Sequence, residues 1–399
     1  MIYDALIVGA GPAGATAARL LARAGWSVAL IEKSPFPRRK VCGEFISATS
    51  MPLLLESEIG TAFQALAGPE VRRVGLFVGE LALTSEMPEV DHPFARWGRA
   101  LGREHLDLIL LEAAERAGAK VFQPAKVLHM HRSDQGHLCT LSTASATEDL
   151  QARIVIAASG SWERDPVQGQ TRRAHRPSDL LAFKAHFLDS DLDPDLMPLL
   201  MFQGGYGGMV HTDSGRVSLS CCIRRDRLAD CRRRHPEARA ADAVLRHVKA
   251  SCSGVRNALQ DARLDGEFLA AGPIQPGIRP CFAEGIFYIG NAAGEAHPVV
   301  AEGISMAMQS AKLLATTLIA AQDRIASPHG LAEAGRSYGN AWKSAFAPRI
   351  RTAGALAQMA MRPGVAGIAA STVEQFPAVL TWAARLTGKA TQLAYEPNR

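Results

Sequence analysis

The chain has 399 residues, 47% of them hydrophobic and 21% charged, which is globular usage and excludes a largely disordered or fibrous protein. Single cores rarely grow past roughly 250 to 300 residues, so two domains, or one core with a large insertion, are expected. The 44 basic and 39 acidic side chains leave a formal charge of +5, too small and too dispersed to argue for nucleic acid.

Met1-Ile2-Tyr3-Asp4 runs straight into a strand, and the apolar stretch behind it carries Arg19 and Arg23, so no signal peptide is expected. The strand Ala5-Leu-Ile-Val8 delivers the chain into Gly9-Ala10-Gly11-Pro12-Ala13-Gly14, followed by an alanine-rich helix with Arg19 and Arg23 on its polar side. In this context GxGxxG has a mechanical reading. Gly9 permits the tight turn, Gly11 lets the backbone approach a pyrophosphate, Gly14 lets the helix lie close to the sheet, and Pro12 suits a first helical turn. The helix N-terminus then faces the phosphates. A second strand, Ser27-Val-Ala-Leu-Ile31, ends at Glu32, where a carboxylate accepts hydrogen bonds from an adenosine ribose. The fingerprint does not separate NAD from FAD, because both carry adenosine diphosphate.

Residues 103 to 118 form a helix by period, with Leu106, Leu110, Ala113, Ala114 and Ala117 on one face and Gly118 as its stop, and Val121 opens the next strand. Ile154-Val-Ile-Ala-Ala-Ser159-Gly160-Ser161 is a further strand leading to glycine. Residues 166 to 270 alternate apolar and polar side chains in short runs, as in 181–187 and 216–220, which reads as a half-buried antiparallel sheet. Within it Arg224, Arg225, Arg227, Arg232, Arg233 and Arg234 read as a solvated loop or helix face, and His186, Tyr206 and His211 are candidate pocket groups. Strand and glycine recur at 286 to 294. After Ala301 the chain is helical almost to its end, with Pro348, Pro363 and Pro377 marking breaks. No window of about 18 apolar residues lacks a charge, so no membrane-spanning segment is expected, while peripheral contact stays open. Cys42, Cys139, Cys221, Cys222, Cys231, Cys252 and Cys281 form no C-x-x-C pair, which predicts no metal and a reducing, cytoplasmic setting.

Three segments carry a family resemblance. Gly285 to Pro298, followed by Glu302-Gly303-Ile304 and on to Gln309, resembles the second flavin motif of aromatic hydroxylases and geranylgeranyl reductases, with Asn291 in place of the family's Asp. Arg38-Arg39-Lys40-Val41-Cys42-Gly43-Glu44 resembles the turn that passes beside the isoalloxazine in the reductases. The segment ending at Gly160 resembles the family's Asp-Gly element, with Ser159 for the Asp. The chain thus resembles the superfamily of FAD-dependent monooxygenases, geranylgeranyl reductases and flavin halogenases.

That resemblance implies an α/β fold: a Rossmann-like FAD-binding domain of the aromatic-hydroxylase, glutathione-reductase type, an antiparallel β-sheet substrate domain and a helical C-terminal segment. The expected divisions are residues 1–75, 96–165 and 270–325 for FAD, 76–95 and 166–269 for substrate, and 326–399 for a helical cap. It implies FAD contact at Gly9, Gly11, Pro12, Ala13, Gly14, Glu32, Lys33, Cys42, Gly43, Arg103, Val127, Gly160, Gly290, Asn291, Pro298, Gly303 and Ile304, with Cys42, Tyr206 and His297 as catalytic candidates. The helix opening near Gly303 is expected to point its positive end at the flavin N1 and O2. NAD(P)H is the implied electron donor. The reaction expected is hydroxylation of a phenolic or indole-like substrate, small or carrier-bound and lipid-like, through a flavin C4a-hydroperoxide. Reduction of isoprenoid double bonds and halogenation are the alternatives, although Gly208 stands where the reductases and halogenases have a Trp, and no tryptophan-halogenase signature surrounds Trp26, Trp97, Trp162, Trp342 or Trp382.

Overall fold

The computed structural model describes residues 2–55, 59–92, 95–133, 136–144, 146–160 and 174–389. Ser161 and Trp162 lie outside the described residues.

The first strand, Ile2–Val8, occupies the middle of a parallel sheet because both its faces are apolar enough to be covered by helices. It pairs in parallel with Val28–Ile31 on one side and with Thr147–Ala157 on the other. Lys120–Phe122 extends the sheet at one edge and Ile286–Tyr288 on the other side, again in parallel, with the short antiparallel strand Phe282–Ala283 outside it. Strands so far apart in sequence become neighbours because helices cross over between them. Pro12–Arg23 packs on one face beside Arg103–Arg116 and Gly303–Ala320, and the alanines at 13, 15, 17 and 18 let those helices come close. An antiparallel hairpin, Ala125–Ser133 and Gly136–Thr143, hangs from the strand Thr147–Ala157.

The second sheet has seven strands in the order Arg263–Ile274, Leu180–Leu188, Val217–Arg224, Gly205–His211, Leu196–Phe202, Arg73–Val78 and Leu81–Glu86. It is antiparallel except where Leu196–Phe202 runs parallel to Arg73–Val78. One face packs on helices Ala240–Ser251 and Ser253–Ala258 through Phe183, Phe187, Leu200, Leu219, Val244, Val248 and Val255. The other looks toward the first domain. The arginine cluster forms the helix Arg225–Arg234, with Arg227 and Arg233 reaching Asp230.

Two sequence expectations require correction. Pro348 does not break a helix. It lies inside the continuous helix Pro328–Ala360, where the buried side chains of Phe346, Ala347, Arg349 and Ile350 anchor the turn that proline leaves short of one N–H. Pro363 and Pro377 do mark helix starts, at Pro363–Gln375 and at the N-cap of Ala378–Ala384. Arg19 is not on a solvated face either. It is 5% exposed and donates through Nη2 to the Leu53 carbonyl at 3.1 Å, tying the first helix to the segment after the glycine turn.

The glycine turn is where close packing is least forgiving. A Cβ on Gly14 would lie 1.8 Å from the Gly9 carbonyl oxygen, and Gly9 itself has φ +101° beside the Ala158 backbone. Gly14→Ala is expected to lower unfolding free energy by at least about 1 to 3 kcal/mol in a denaturant titration. Gly364→Ala, where a Cβ meets nothing within 4 Å, is the control: it is expected to be neutral or to stabilise its helix by up to about 1 kcal/mol.

Candidate functional site

A continuous cavity of about 600 Å³ runs from the glycine turn, between the two sheets, to the C-terminal helices. Its walls include every residue expected at the cofactor except Gly14, which is spent on the contact with Gly9, and they include Cys42, Tyr206 and His297. His186 and His211 do not line it. His186 is buried against Glu44, and His211 bonds the Leu192 carbonyl at 2.7 Å.

At one end the parallel strands stop together, and the turn after Val8 opens into the start of the first helix. A Cβ on Gly11 would meet only Arg103 Nη2 within 4 Å, at 3.6 Å, so the space over the turn is a cradle that a larger side chain would fill. Arg103 is locked by a bidentate pair with Asp107, both contacts 2.7 Å. Burial alone would ease its proton off, but Asp107 and Cys42 outweigh burial and hold the guanidinium charged. Two of its five N–H donors are spent on Asp107 and a further one faces the Cys42 sulfur, which leaves the rest for a phosphate. Glu32 accepts from Ala10 N at 3.0 Å, Ser34 N at 2.9 Å and Arg38 Nη2 at 3.2 Å. It therefore shapes the turn itself and keeps about one of its roughly four lone-pair sites for a ribose hydroxyl. The donor set, the open turn and the helix N-terminus fit an adenine dinucleotide.

The middle of the cavity is bounded by the loop at Cys42 and Gly43 and by Gly290, Asn291 and Pro298 to Ile304. Gly290, at φ +58°, lies so close to the first helix that a Cβ would come within 2.9 Å of Ala13 Cβ. The helix Gly303–Ala320 begins here, and Glu302 just before it is fully buried between Ser47, at 3.2 Å, and Lys389, at 2.9 Å.

Beneath the Cys42 loop lies an ionic junction that the sequence reading missed. Glu44, fully buried with φ +64°, binds Lys184 Nζ through one oxygen and His186 Nε2 at 2.8 Å through the other, and also accepts from the Arg103 backbone N–H at 3.2 Å. Burial pushes its pKa up, but the hydrogen bond from His186 and the charge of Lys184 outweigh this and hold it down at about 2. Lys184 and His186 sit at alternate positions of an otherwise apolar strand, and that spacing was the available signal. Ser220 Oγ adds a bond to the Cys42 carbonyl at 3.0 Å.

The far end is walled by Val41, Leu76, Met197, Leu199, Met201, Ile274, Val299, Leu356, Met359, Val373 and Leu380. Its polar groups are mostly committed: Thr387 to the Ala384 carbonyl, Thr372 to the Ile368 carbonyl, Lys389 to Val300 and Glu302. Tyr206 and His297 pair with each other, their Oη and Nδ1 atoms 3.1 Å apart, with Cys222 and Glu295 beside Tyr206. Burial pushes the His297 pKa below its ordinary value, and burial together with Cys222 pushes that of Tyr206 well above its own, so both are neutral near pH 7.

The junction has a measurable signature. Lys184→Met, which leaves the buried carboxylate short of a partner, is expected to cost about 3 to 5 kcal/mol, and combining it with Glu44→Gln should recover most of that. Because the folded pKa of Glu44 lies below its ordinary 4.5, its contribution is present above that pH and is lost as pH falls toward about 2. Denaturant midpoints across that window should fall more steeply for the native chain than for Glu44→Gln.

A family model described as FAD binding domain matches residues 2–338. Menaquinone reductase of Mycobacterium tuberculosis is 27% identical over 337 residues, covering 79% of this chain and 76% of that protein. Among solved structures, a flavin-dependent brominase superposes with a TM-score of 0.77 at 20% identity, covering 98% of this chain and 94% of its own. A protein described as a probable FAD-dependent monooxygenase from Pseudomonas aeruginosa gives a TM-score of 0.72 at 17% identity, covering 92% and 99%. No helix among the described residues is long and apolar enough to cross a membrane.

Proposed function

Because the chain belongs to the FAD-binding-domain family, we propose that it is an FAD-dependent monooxygenase that hydroxylates the ring of a lipid-like phenol, with NADH or NADPH as electron donor. The observation that carries this reading is a long apolar chamber with a hydrogen-bonded couple, Tyr206 and His297, in its wall. A molecule with a single phenolic head and an apolar body matches that inventory.

In this reading Gly9, Gly11, Pro12, Ala13 and Arg103 hold the pyrophosphate, Glu32 the adenosine ribose, and Lys33 and Val127 flank the adenosine. Gly160, Gly290 and Asn291 hold the ribitol, and Cys42, Gly43, Pro298, Gly303 and Ile304 border the ring. FAD when bound supplies the two-electron chemistry and the activation of oxygen. The protein contributes position, dryness and charge. Tyr206, kept protonated, donates to Nδ1 of His297, so that Nε2 carries a hydrogen and donates to the substrate oxygen. That bond favours the phenolate, the electron-rich form of the ring. The apolar walls exclude water from the oxidising species. Cys42, whose carbonyl is tied to Ser220 and whose sulfur accepts from the Glu44 N–H at 3.4 Å, packs the loop and has no redox task. Seven free cysteines are compatible with a cytoplasmic setting.

A second reading, reduction of an isoprenoid double bond, is supported only in its class by the relative, which is named a reductase. The two part on oxygen. FAD-loaded protein given NADH or NADPH and phenols of increasing alkyl length should consume oxygen and return a product heavier by one oxygen atom, with kcat/KM rising with chain length. Oxygen-independent saturation of a prenyl chain with no hydroxylated product would replace the first reading by the second. His297→Ala should keep FAD yet lose about tenfold to a hundredfold in kcat/KM, the worth of one buried hydrogen bond to a charged oxygen. Gly11→Val, which fills the cradle, should purify colourless, and stoichiometric yellow flavin in that variant would remove the basis of the whole assignment.

A further inference from the structure

Helices Pro363–Gln375 and Ala378–Ala384 are apolar on two sides at once. Their inner sides bury Ala366, Ala370, Val373, Leu380 and Ala384 against the second sheet and the cavity. Their outer sides present Ile368 at 71% exposure, Phe376 at 62% and Trp382 at 61%, with Leu386 just beyond at 48%. These are the four most exposed large apolar side chains among the described residues, and scattered chance does not concentrate them in one stretch of nineteen positions.

The patch is continuous with the cavity. Met359 and Val379 are both exposed and cavity-lining, so the apolar outer face and the apolar chamber meet at a shared rim. The charge around the patch is positive on balance. Arg351, Arg362 and Arg385 are exposed with no ion-pair partner among the described residues, against the exposed carboxylates of Glu374 and of Glu86, whose carbonyl accepts from Thr381. Bulky aromatic and aliphatic side chains edged by arginine suit the boundary between anionic headgroups and acyl chains, where the rings enter the apolar layer and the guanidinium groups meet phosphate.

We propose that this C-terminal helical face docks on an anionic phospholipid surface and that the cavity opens there, so that substrate passes from the lipid layer into the chamber without crossing water. The purpose of the docking rests on the lipid-like substrate proposed above, but the docking itself is read from the surface. Helices of this length lie along the interface and do not span it. Transfer along the shared rim removes the cost of exposing a long apolar chain to water on its way to the site.

The test uses the FAD-loaded full chain and no turnover, so its outcome is independent of which reaction the site performs. In flotation, the protein should rise with phosphatidylglycerol–phosphatidylcholine vesicles and much less with phosphatidylcholine alone. Ile368→Ser, Phe376→Ser and Trp382→Ser combined should cut the bound fraction at least about tenfold while flavin content and Tm hold. If that variant folds poorly, Arg362→Glu with Arg385→Glu should abolish the preference for anionic vesicles. Tryptophan emission should shift to the blue on vesicle addition, and Trp382→Phe should lose that shift while still floating. A native protein that stays below all vesicles overturns the proposal, as does flotation unchanged by both sets of substitutions. Light scattering that shows a dimer dissolved by the serine variant, with no vesicle binding, assigns the face to a second copy of the chain instead.

Discussion

A carboxylate with no access to water ties the two halves of this molecule together, alongside the ion pairs Arg216–Glu104 and Arg39–Asp265. Glu44 reaches Lys184 and His186 on the strand Leu180–Leu188, next to one edge of the second sheet, and, through Arg103 N–H, the start of a helix that packs on the first. Such a charge is tolerable only when all its partners are in place, because its desolvation is incurred in full whether or not they are. The loop that carries it is therefore held in one path. That path puts Gly43 at the cavity wall, the Cys42 carbonyl on Ser220 and Ser47 against Glu302 and Ser305. A left-handed backbone at Glu44 costs of order 1 kcal/mol and persists because these contacts over-determine it.

The glycine turn follows a different logic. Its constraints are steric: Gly14 answers a contact with Gly9 inside the strand-turn-helix unit, Gly9 lies against the Ala158 backbone of the neighbouring strand end, and Gly11 leaves room beside Arg103. Glu32 extends that unit by holding Ala10 N, so the acid at the second strand end is part of the turn as well as the proposed ribose partner. Arg103 arrives from a third segment with its geometry already fixed by Asp107, four residues along its own helix. A rigid anion site assembled from pre-set parts needs little reorganisation when a dinucleotide enters.

This difference explains what could be read from the sequence. The strand, turn and helix at 5–23, the helix at 103–116 and the parallel strand ending at Ala157 were legible because period and punctuation are local signals. Arg19 was misread because helical position alone does not reveal that the Leu53 carbonyl waits on the other side. Pro348 was misread because local propensity yields to tertiary packing around Phe346 and Ile350. The Glu44 junction was invisible for the same reason at greater range, with 140 residues separating Glu44 from Lys184. His186 was singled out as a pocket group, and its partner turned out to be that buried acid.

The order of strands in the parallel sheet also governs how the protein can be made. Ile2–Val8 leaves the ribosome first, yet one of its two sheet neighbours is the strand Thr147–Ala157, whose own outer neighbour is Ile286–Tyr288. At a synthesis rate of roughly 5 to 20 residues per second, the last of these strands follows the first by roughly 15 to 60 seconds. Thr147–Ala157 joins Ile2–Val8 about halfway through that interval, and its own outer edge then waits for Ile286–Tyr288 while the second sheet's strands between 180 and 274 are made. The first sheet is therefore completed only after the inserted strands have been made, and until then the open edge of Thr147–Ala157 is one that chaperones which shield unpaired strand edges can cover.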